Sequence, residues 1–270
     1  SLYLERIPLF MSEFGFQSLP SLAAIRQFQP PEEDSLYSAP LLCHQKHKTG
    51  YQTIDTYLKR EELMAVDLPS LIYLSQLIQA RGVGLGIEAH RRARPWNQGT
   101  LYWQLNDVWP VTSWSSVDFS GQWKGLQYQV RSLYEELVVS LLEKEGKLQA
   151  GLISDLTFTL EGDFRLLQCD FYGNCHTVFQ TRHSQPALSS ALVYEASLNS
   201  LAGDNNAHGF YLAEFEAEDY HISRLWISSP LGRNSLPDPH IHFRLDRDAT
   251  GVYLDIESRA LAAWVYLNTG

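Results

Sequence analysis

The chain has 270 residues, of which 44% are apolar and 19% charged, a composition that excludes a disordered protein and predicts two or more domains. Its formal net charge of −10 argues against a nucleic-acid partner, because binding phosphates requires a basic face. No apolar run approaches the roughly 18 residues of a membrane span.

The first half alternates between strand-like and helix-like segments. The predicted elements are a strand over residues 9–14, helices over 21–28, 53–63 and 67–94, a strand over 100–105 and a helix over 124–137. Short apolar runs of this kind are typical of strands buried on both faces. A strand, a long helix, a strand and a helix in succession favour a parallel α/β fold.

The long helix has clear signals at its start. Asp67 is the predicted N-cap and Pro69 lies in the first turn. Gly82, Gly84 and Gly86 weaken this helix. No strand directly precedes them, so they do not form a phosphate loop, and close packing is the expected explanation. The arginines at the helix end, residues 91, 92 and 94, are expected to serve a structural role.

From about residue 138 the apolar residues alternate with a period of two. Alternating triplets occur at positions 156–160, 241–245 and 252–256. Short strands separated by turn signals indicate a β-sandwich. The Leu-Pro-Asp-Pro segment at 236–239 is interpreted as a linker, and the residues after it offer about three strands, too few to close a sandwich.

The three cysteines do not form a disulfide framework, because their number is odd. Cys169 and Cys175 could face each other across a hairpin, but free buried thiols are the favoured interpretation. The N-terminus lacks the basic start and apolar run of a signal peptide. The sequence leaves the cellular compartment open.

Two segments carry the candidate chemistry. Glu13 offers a carboxylate where the first strand should end, and Trp103 offers an indole face where the second should end. Five of the seven tryptophans lie between residues 96 and 123. Some are expected in the core, and stacking on sugar rings is the alternative for the others. On the residues alone, a salt-bridged Glu and a core Trp remain open.

These segments resemble a known family. Ser-Glu-Phe-Gly-Phe-Gln-Ser at 12–18 is similar to the nucleophile strand of glycoside hydrolase family 2, and of its β-mannosidase branch in particular. Cys-His-Gln-Lys-His at 43–47 and Gly-Thr-Leu-Tyr-Trp-Gln-Leu-Asn-Asp-Val-Trp-Pro at 99–110 resemble further motifs of that branch. The likeness is dense over residues 8–140 and looser beyond.

The resemblance implies a fold of class α/β plus all-β. Residues 1–136 would form the C-terminal portion of a (β/α)8 TIM barrel, residues 137–236 an immunoglobulin-like β-sandwich, and residues 237–270 the beginning of a second, truncated sandwich. Such enzymes remove terminal β-linked mannose from oligosaccharides with retention of configuration. No cofactor is implied, and the oligomeric state stays open.

The resemblance also implies roles for individual residues. Glu13 would be the catalytic nucleophile. Trp103 would be an aromatic platform for the terminal sugar. Beside the resemblance, the residues themselves offer further substrate-binding candidates, which are Asn106, Asp107, Trp109, His44 and His47. Asn106 and Asp107 are assigned with equal weight to orienting their loop or bonding a sugar hydroxyl. His44 and His47 could share a helical face, but no third ligand stands at metal spacing, so hydrogen bonding near the sugar is favoured over a metal.

One departure from the family pattern matters for activity. The family's acid/base is a Glu after an Asn on an earlier strand, and this sequence contains no Asn-Glu dipeptide. The chain is therefore expected to be a C-terminal fragment that supplies the nucleophile and is inactive by itself. The alternatives are another family 2 exo-glycosidase, a β-galactosidase or β-glucuronidase, and a non-catalytic carbohydrate-binding or scaffold fragment.

Overall fold

The computed structural model describes residues 2–33, 35–202 and 209–267. The first part is built from helices and extended segments. Its helices are α1 (Leu2–Glu5), α2 (Leu22–Ile25), α3 (Ala39–Cys43), α4 (Gly50–Arg60), α5 (Leu68–Arg92) and α6 (Gly125–Leu133), with a 3-10 turn at Pro31–Glu33. The predicted helix over 124–137 is therefore wrong at its end, because the next strand already begins at Leu137.

The helix α5 begins where the sequence predicts. The Asp67 carboxylate accepts from the Ser70 backbone N–H, and the Ser70 hydroxyl accepts from the Asp67 N–H, which completes a capping box. Pro69 lies in the first turn. This capping fixes the start of the longest helix among the described residues.

The glycines of α5 allow close packing, as expected. A Cβ at Gly82 would lie 2.7 Å from the Phe16 ring, and one at Gly86 would lie 2.4 Å from the Phe14 ring. A Cβ at Gly84 would lie 2.8 Å from the Gln129 side chain of α6. Because real Cβ atoms do not approach so closely, only glycine lets the helix approach the segment that contains Glu13.

The predicted strands over 9–14 and 100–105 do not form regular strands. They make one isolated parallel bridge, between Met11 and Thr100. The backbone between residues 100 and 123 is irregular and contains further single bridges, including Ser18 with Ser113. Single backbone hydrogen bonds, with some side-chain acceptors, satisfy this backbone in place of a continuous ladder.

The second part consists of two antiparallel sheets. The strands are β1 (Leu137–Lys144), β2 (Lys147–Ser154), β3 (Leu160–Asp170), β4 (Cys175–Gln185), β5 (Ser190–Ser197), β6 (Gly209–Ala217) and β7 (Tyr220–Trp226), with α7 (Leu198–Ala202) before β6. One sheet has the order β1-β2-β5 and the other β4-β3-β6-β7. Residues of both sheets share one apolar core, which includes Val139, Leu152, Phe164 and Phe215.

The predicted alternation at 156–160 is not a strand. Residues 155–159 precede β3, and of these side chains Phe158 is exposed while Leu156 is buried. The interpretation of free thiols is also wrong. Cys169 and Cys175 form a disulfide across the β3–β4 hairpin, and Cys43 is free and exposed.

The two parts are joined by the arginines at the end of α5. The Arg91 guanidinium is buried and donates to the Leu133 carbonyl and to Asp155. Arg92 donates to Ser140 and Gln149 of the first sheet, each within 2.9 Å. Arg94 pairs with Asp155 at 2.5 Å. The predicted structural role of these arginines is confirmed.

The last described segment contains a hairpin, β8 (His242–Arg247) and β9 (Val252–Glu257), as the alternation predicts, although with two strands rather than about three. All residues of both strands are exposed. Along the described ranges, no helix combines the length and apolar character of a membrane span.

Candidate active site

Two extended segments lie side by side at the centre of the candidate site. The Met11 N–H donates to the Gly99 carbonyl at 2.9 Å, and the Leu101 N–H donates to the Met11 carbonyl at 2.9 Å. Further along, the Trp103 N–H donates to the Phe14 carbonyl at 2.8 Å. The segments that contain Glu13 and Trp103 are therefore parallel neighbours, although neither is a regular strand.

The packing determines which way the two candidate residues face. Phe14, Phe16 and Tyr102 all pack against the cluster between α5 and α6, whose members include Val83, Ile87 and Leu126. In extended chain, successive side chains point to opposite faces. Glu13 and Trp103 therefore share the face that is turned away from these helices.

Both candidates are accessible to a ligand. Glu13 is exposed, and among the described residues its carboxylate has no hydrogen-bond or ion-pair partner. The Trp103 side chain is 49% exposed. The alternatives of a salt-bridged Glu and a core Trp therefore do not describe these residues. The peptide bond between Trp103 and Gln104 is cis.

The two candidate histidines occupy different environments. His44 is half-buried and stacks on Phe28, with ring centroids 3.9 Å apart, and its ring lies 5.3 Å from that of Trp109. His47 is exposed, and its ring lies 6.0 Å from that of Trp114. His44 is the C-cap residue of α3, so the prediction that the two share a helical face is wrong.

Asn106 and Asp107 also separate. Asp107 is buried, and its carboxylate accepts from Lys46 at 2.8 Å and from the Ser113 hydroxyl at 2.6 Å. These contacts describe the loop-orienting role. The Asn106 side chain is exposed, while its carbonyl accepts from Gln104. Asn106 thus presents a side chain to solvent where Asp107 does not.

Trp109 follows on the same loop and is 38% exposed. Through His44 it is linked to the segment after α3, since the His44 Nδ1 lies 2.9 Å from the Pro110 carbonyl. The loop therefore presents aromatic and polar side chains next to the Glu13 segment. This arrangement suits a ligand with an apolar ring face and several hydroxyl groups.

A buried lysine below these segments was not singled out from the sequence. Lys124 precedes α6 and is 1% exposed. Its Nζ donates to the Ser18 carbonyl at 3.2 Å and to the Ser113 carbonyl at 3.3 Å. Lys124 follows Gly121, Gln122 and Trp123 in the sequence, and nothing in a single sequence marks a lysine as buried.

Burial lowers the pKa of Lys124 to about 7, because removal from water disfavours the charged ammonium. Asp107 and Asp118 oppose this change and Lys46 reinforces it. No group of three His, Cys, Asp or Glu side chains within the described ranges could hold a metal ion.

Comparison with curated proteins finds β-mannosidases. The chain is 32% identical to the β-mannosidase of Capra hircus over 163 residues, which are 54% of this chain and 18% of that protein. It is 29% identical to β-mannosidase A of Aspergillus clavatus over 241 residues, which are 78% of this chain and 26% of that protein. The chain thus spans about a quarter or less of the curated relatives it matches.

Comparison with solved structures agrees. The β-D-mannosidase from Dictyoglomus thermophilum superposes with a TM-score of 0.90 at 28% identity, covering 99% of this chain and 33% of that one. No family model matches the sequence. The resemblance to the β-mannosidase branch of glycoside hydrolase family 2 is confirmed in sequence and in fold.

Proposed function

We propose that this chain is the C-terminal part of a retaining exo-β-mannosidase that hydrolyses terminal β-D-mannose residues of oligosaccharides, with Glu13 as its nucleophile. The observation that carries the proposal is the shared face of Glu13 and Trp103 on neighbouring parallel segments. The similarity to β-mannosidases over most of the chain supports the choice of sugar.

Glu13 has the properties that covalent glycosyl transfer requires. A retaining glycosidase uses one carboxylate to attack the anomeric carbon, forming a glycosyl-enzyme that water then hydrolyses. The exposed Glu13 carboxylate, which has no partner among the described residues, is accessible for that attack.

Trp103 would form one wall of the subsite for the terminal mannose. Its half-exposed indole faces the same side as Glu13, and the C–H-rich face of a pyranose stacks well on such a surface. Asn106, Trp109, His44 and His47 would line the same region. Asp107 would contribute by fixing the loop through Lys46 and Ser113.

The other carboxylate of the mechanism would come from outside these 270 residues. A retaining enzyme needs an acid to protonate the leaving group, with the two carboxyl groups about 5 Å apart. The family's Asn-Glu pair does not occur in this sequence. The chain by itself is therefore expected to leave mannosides intact.

The architecture of the proposed enzyme follows the same division. Residues 1–136 would provide the end of a (β/α)8 barrel, because the Met11–Thr100 bridge joins parallel segments on either side of α5. Residues 137–236 would form an immunoglobulin-like sandwich, which its seven antiparallel strands in two sheets support. Residues 237–270 would begin a further module.

Mechanism-based labelling tests the proposal. The natural protein that carries this chain is incubated with a 2-deoxy-2-fluoro-mannosyl fluoride, digested and mapped by mass spectrometry. We expect the mannosyl label on Glu13 and no label in Glu13→Gln, whose turnover of aryl β-mannosides should fall by several orders of magnitude because the nucleophile is lost.

The control is Glu145→Gln, which changes a carboxylate in the β1–β2 turn of the sandwich and should leave labelling unchanged. A label on another carboxylate would refute the role of Glu13. Labelling only by the galactosyl or glucuronosyl analogue would favour the other family 2 enzymes. Sugar binding without labelling by any of the three donors would favour a non-catalytic module.

A further inference from the structure

Lys124 lies where three segments of the proposed site meet. One segment continues from Glu13 to Ser18, the second carries the histidines at 44–47, and the third is the aromatic loop at 106–118. Lys124 is the largest fully buried polar side chain within the described ranges. A buried ammonium is costly unless hydrogen bonds compensate, so its contacts indicate what it does.

The first contact is with the bridge that joins the Glu13 segment to the aromatic loop. The N–H groups of Ser18 and Ser113 donate to each other's carbonyls, at 3.0 and 3.3 Å. The Lys124 Nζ donates to both of these carbonyls. One ammonium group is thus hydrogen-bonded to both partners of this bridge and holds them together.

The contacts continue toward the solvent-facing side of the site. The Ser115 hydroxyl lies 3.5 Å from the Lys124 Nζ and 3.0 Å from the Ser113 hydroxyl, which donates to Asp107. Asp107 in turn accepts from Lys46, whose own N–H donates to the Thr112 carbonyl at 3.0 Å. The histidine segment is therefore fastened to the same network.

Trp114 lies between the two serines of this network. Its carbonyl accepts from the Gln104 N–H at 3.2 Å, next to Trp103. Ser113 and Ser115 flank Trp114 in the sequence, and one hydrogen bond joins Trp114 to the Trp103–Gln104 segment. A change in the hydrogen bonds of either serine can therefore shift Trp114 and, through it, this segment. Lys124 can therefore affect the positions of Trp114 and Trp103 without contacting the ligand itself.

We propose that Lys124 is a positioning residue of the site, and that its protonation state sets how firmly the aromatic loop is held on the Glu13 segment. The charged ammonium has three donors for its three acceptors. The neutral amine has two weaker donors, so the loop is held less firmly when the proton leaves. The effect of this network on substrate binding rests on the proposed function, whereas the hydrogen bonds themselves do not.

Several charged groups face this network. Asp107 and Asp118 favour the charged ammonium, while Lys46 opposes it. The Asp118 carboxylate accepts from the N–H groups of Ser21, Ser120 and Gln122. The His47 ring lies 6.0 Å from the Trp114 ring, so a His47→Gln variant is needed to exclude this residue as the source of a change at Trp114.

Two NMR signals test the inference in the 270-residue chain. The Lys124 side chain is followed through its ¹³Cε resonance and Trp114 through its indole N–H cross-peak, between pH 5 and 10. We expect both signals to titrate together near pH 7, in the wild type and in His47→Gln. In Lys124→Met the Trp114 titration should disappear, while in Lys147→Met, which removes an exposed lysine of β2, it should remain.

Asp118→Asn keeps the shape of the site and removes a carboxylate that favours the charged ammonium, so the common midpoint should move to lower pH. This variant keeps the test decisive if Lys124→Met does not fold. A Lys124 signal that titrates only near pH 10, a Trp114 signal that follows His47, or an unmoved midpoint in Asp118→Asn would overturn the inference.

The outcome is separable from the fate of the proposed function. If Trp114 follows Lys124 but Glu13 is not labelled, the network exists and the mannosidase assignment fails. If Glu13 is labelled but the Trp114 signal does not follow the Lys124 titration, the mannosidase assignment stands and the positioning role of Lys124 fails. In the natural protein that carries the chain, Lys124→Met should raise KM for aryl mannosides more than it lowers kcat, since ligand stacking is affected first.

Discussion

The N-terminal part and the sandwich are stabilised in different ways. In the sandwich, continuous antiparallel ladders satisfy the backbone, and one apolar core lies between the sheets. In the N-terminal part, single bridges are supplemented by side chains. Examples are the Ser75 hydroxyl, which accepts from the Leu19 N–H at 3.0 Å, and Gln76, which donates to the Leu19 carbonyl at 3.1 Å.

The difference has a physical reason. A buried backbone group that lacks a ladder partner must find another partner, because leaving it unpaired costs as much as a lost hydrogen bond. Irregular loops can present Trp103, Asn106 and Trp109 to the same ligand. In a regular strand, successive side chains would point to opposite faces of the sheet. Because these loops lack ladder partners, buried polar side chains are needed to pair with their backbone groups.

The largest effect is expected in the sandwich core. Phe215 is fully buried on β6, so Phe215→Ala should lower the free energy of unfolding by about 3–5 kcal/mol, through lost burial and the cavity left behind. Urea unfolding followed by far-UV circular dichroism measures this. Phe158→Ala, at a side chain that is 51% exposed, should change stability by less than about 0.5 kcal/mol. Equal effects would contradict an apolar core as the source of stability.

The next effect concerns the contact of α5 with the Glu13 segment. A helical Gly→Ala exchange normally stabilises by up to about 1 kcal/mol. Gly86→Ala should instead destabilise by about 1–3 kcal/mol, because its Cβ would lie 2.4 Å from the Phe14 ring, which Tyr3 and His90 also contact. Urea unfolding of the variant measures the change.

The matched control for Gly86 is Gly251→Ala in the β8–β9 turn, where the nearest side-chain atom would be 3.9 Å away. That exchange should be close to neutral. A stabilised Gly86→Ala variant would show that helix and segment are not in close contact, and that the face assigned to Glu13 needs revision.

The buried Lys124 in the polar network of the N-terminal part makes stability depend on pH. The pKa of Lys124 is about 7 in the folded protein, against 10.5 for an unperturbed lysine, which is the value expected in the unfolded chain. Between these values the unfolded state binds more protons, so this group makes stability rise with pH, by at most about 1.4 kcal/mol per unit. Below pH 7 its contribution no longer changes. Lys124→Met should flatten the rise between pH 7 and 9 in urea unfolding, and an unchanged slope would contradict the assignment.

The smallest effect is expected at the junction of the two parts. Asp155 pairs with Arg91 and Arg94, but its side chain is 39% exposed, which weakens the pairing through solvent screening. Asp155→Ala should lower the free energy of unfolding by about 1 kcal/mol, mainly because the buried Arg91 loses a partner. The exposed pair of Asp163 with Arg182 supplies the control, Asp163→Ala, for which a smaller loss is expected.

Sequence patterns predicted best what local chemistry decides. The capping box at Asp67, the glycines of α5 and the β8–β9 hairpin are each encoded within a few residues. The prediction was wrong where tertiary contacts decide. Residues 100–105 have the composition of a strand, but their backbone bonds partly to the Glu13 segment and partly to the loop at 114–117, so no continuous ladder forms.

The candidate site was predictable to a similar degree. The motifs placed Glu13 and Trp103 near strand ends, and the structure brings their segments together. The burial of Asp107 and Lys124 was not predictable, because it depends on contacts with Lys46, Ser18 and Ser113, which are distant in sequence. The disulfide between Cys169 and Cys175 likewise depends on the hairpin register.

The arginines at the end of α5 limit how freely the sandwich could be exchanged between relatives. Arg91, Arg92 and Arg94 find their partners on the loop after β2 and on β1 and β2 themselves. A transplanted sandwich would need a carboxylate at position 155 and hydrogen-bonding groups at 140 and 149 to seat in the same orientation. The pairs formed at the end of α5 thus determine which sandwich can pack against this helix. Chimeras of β-mannosidase-like chains would have to preserve these pairs.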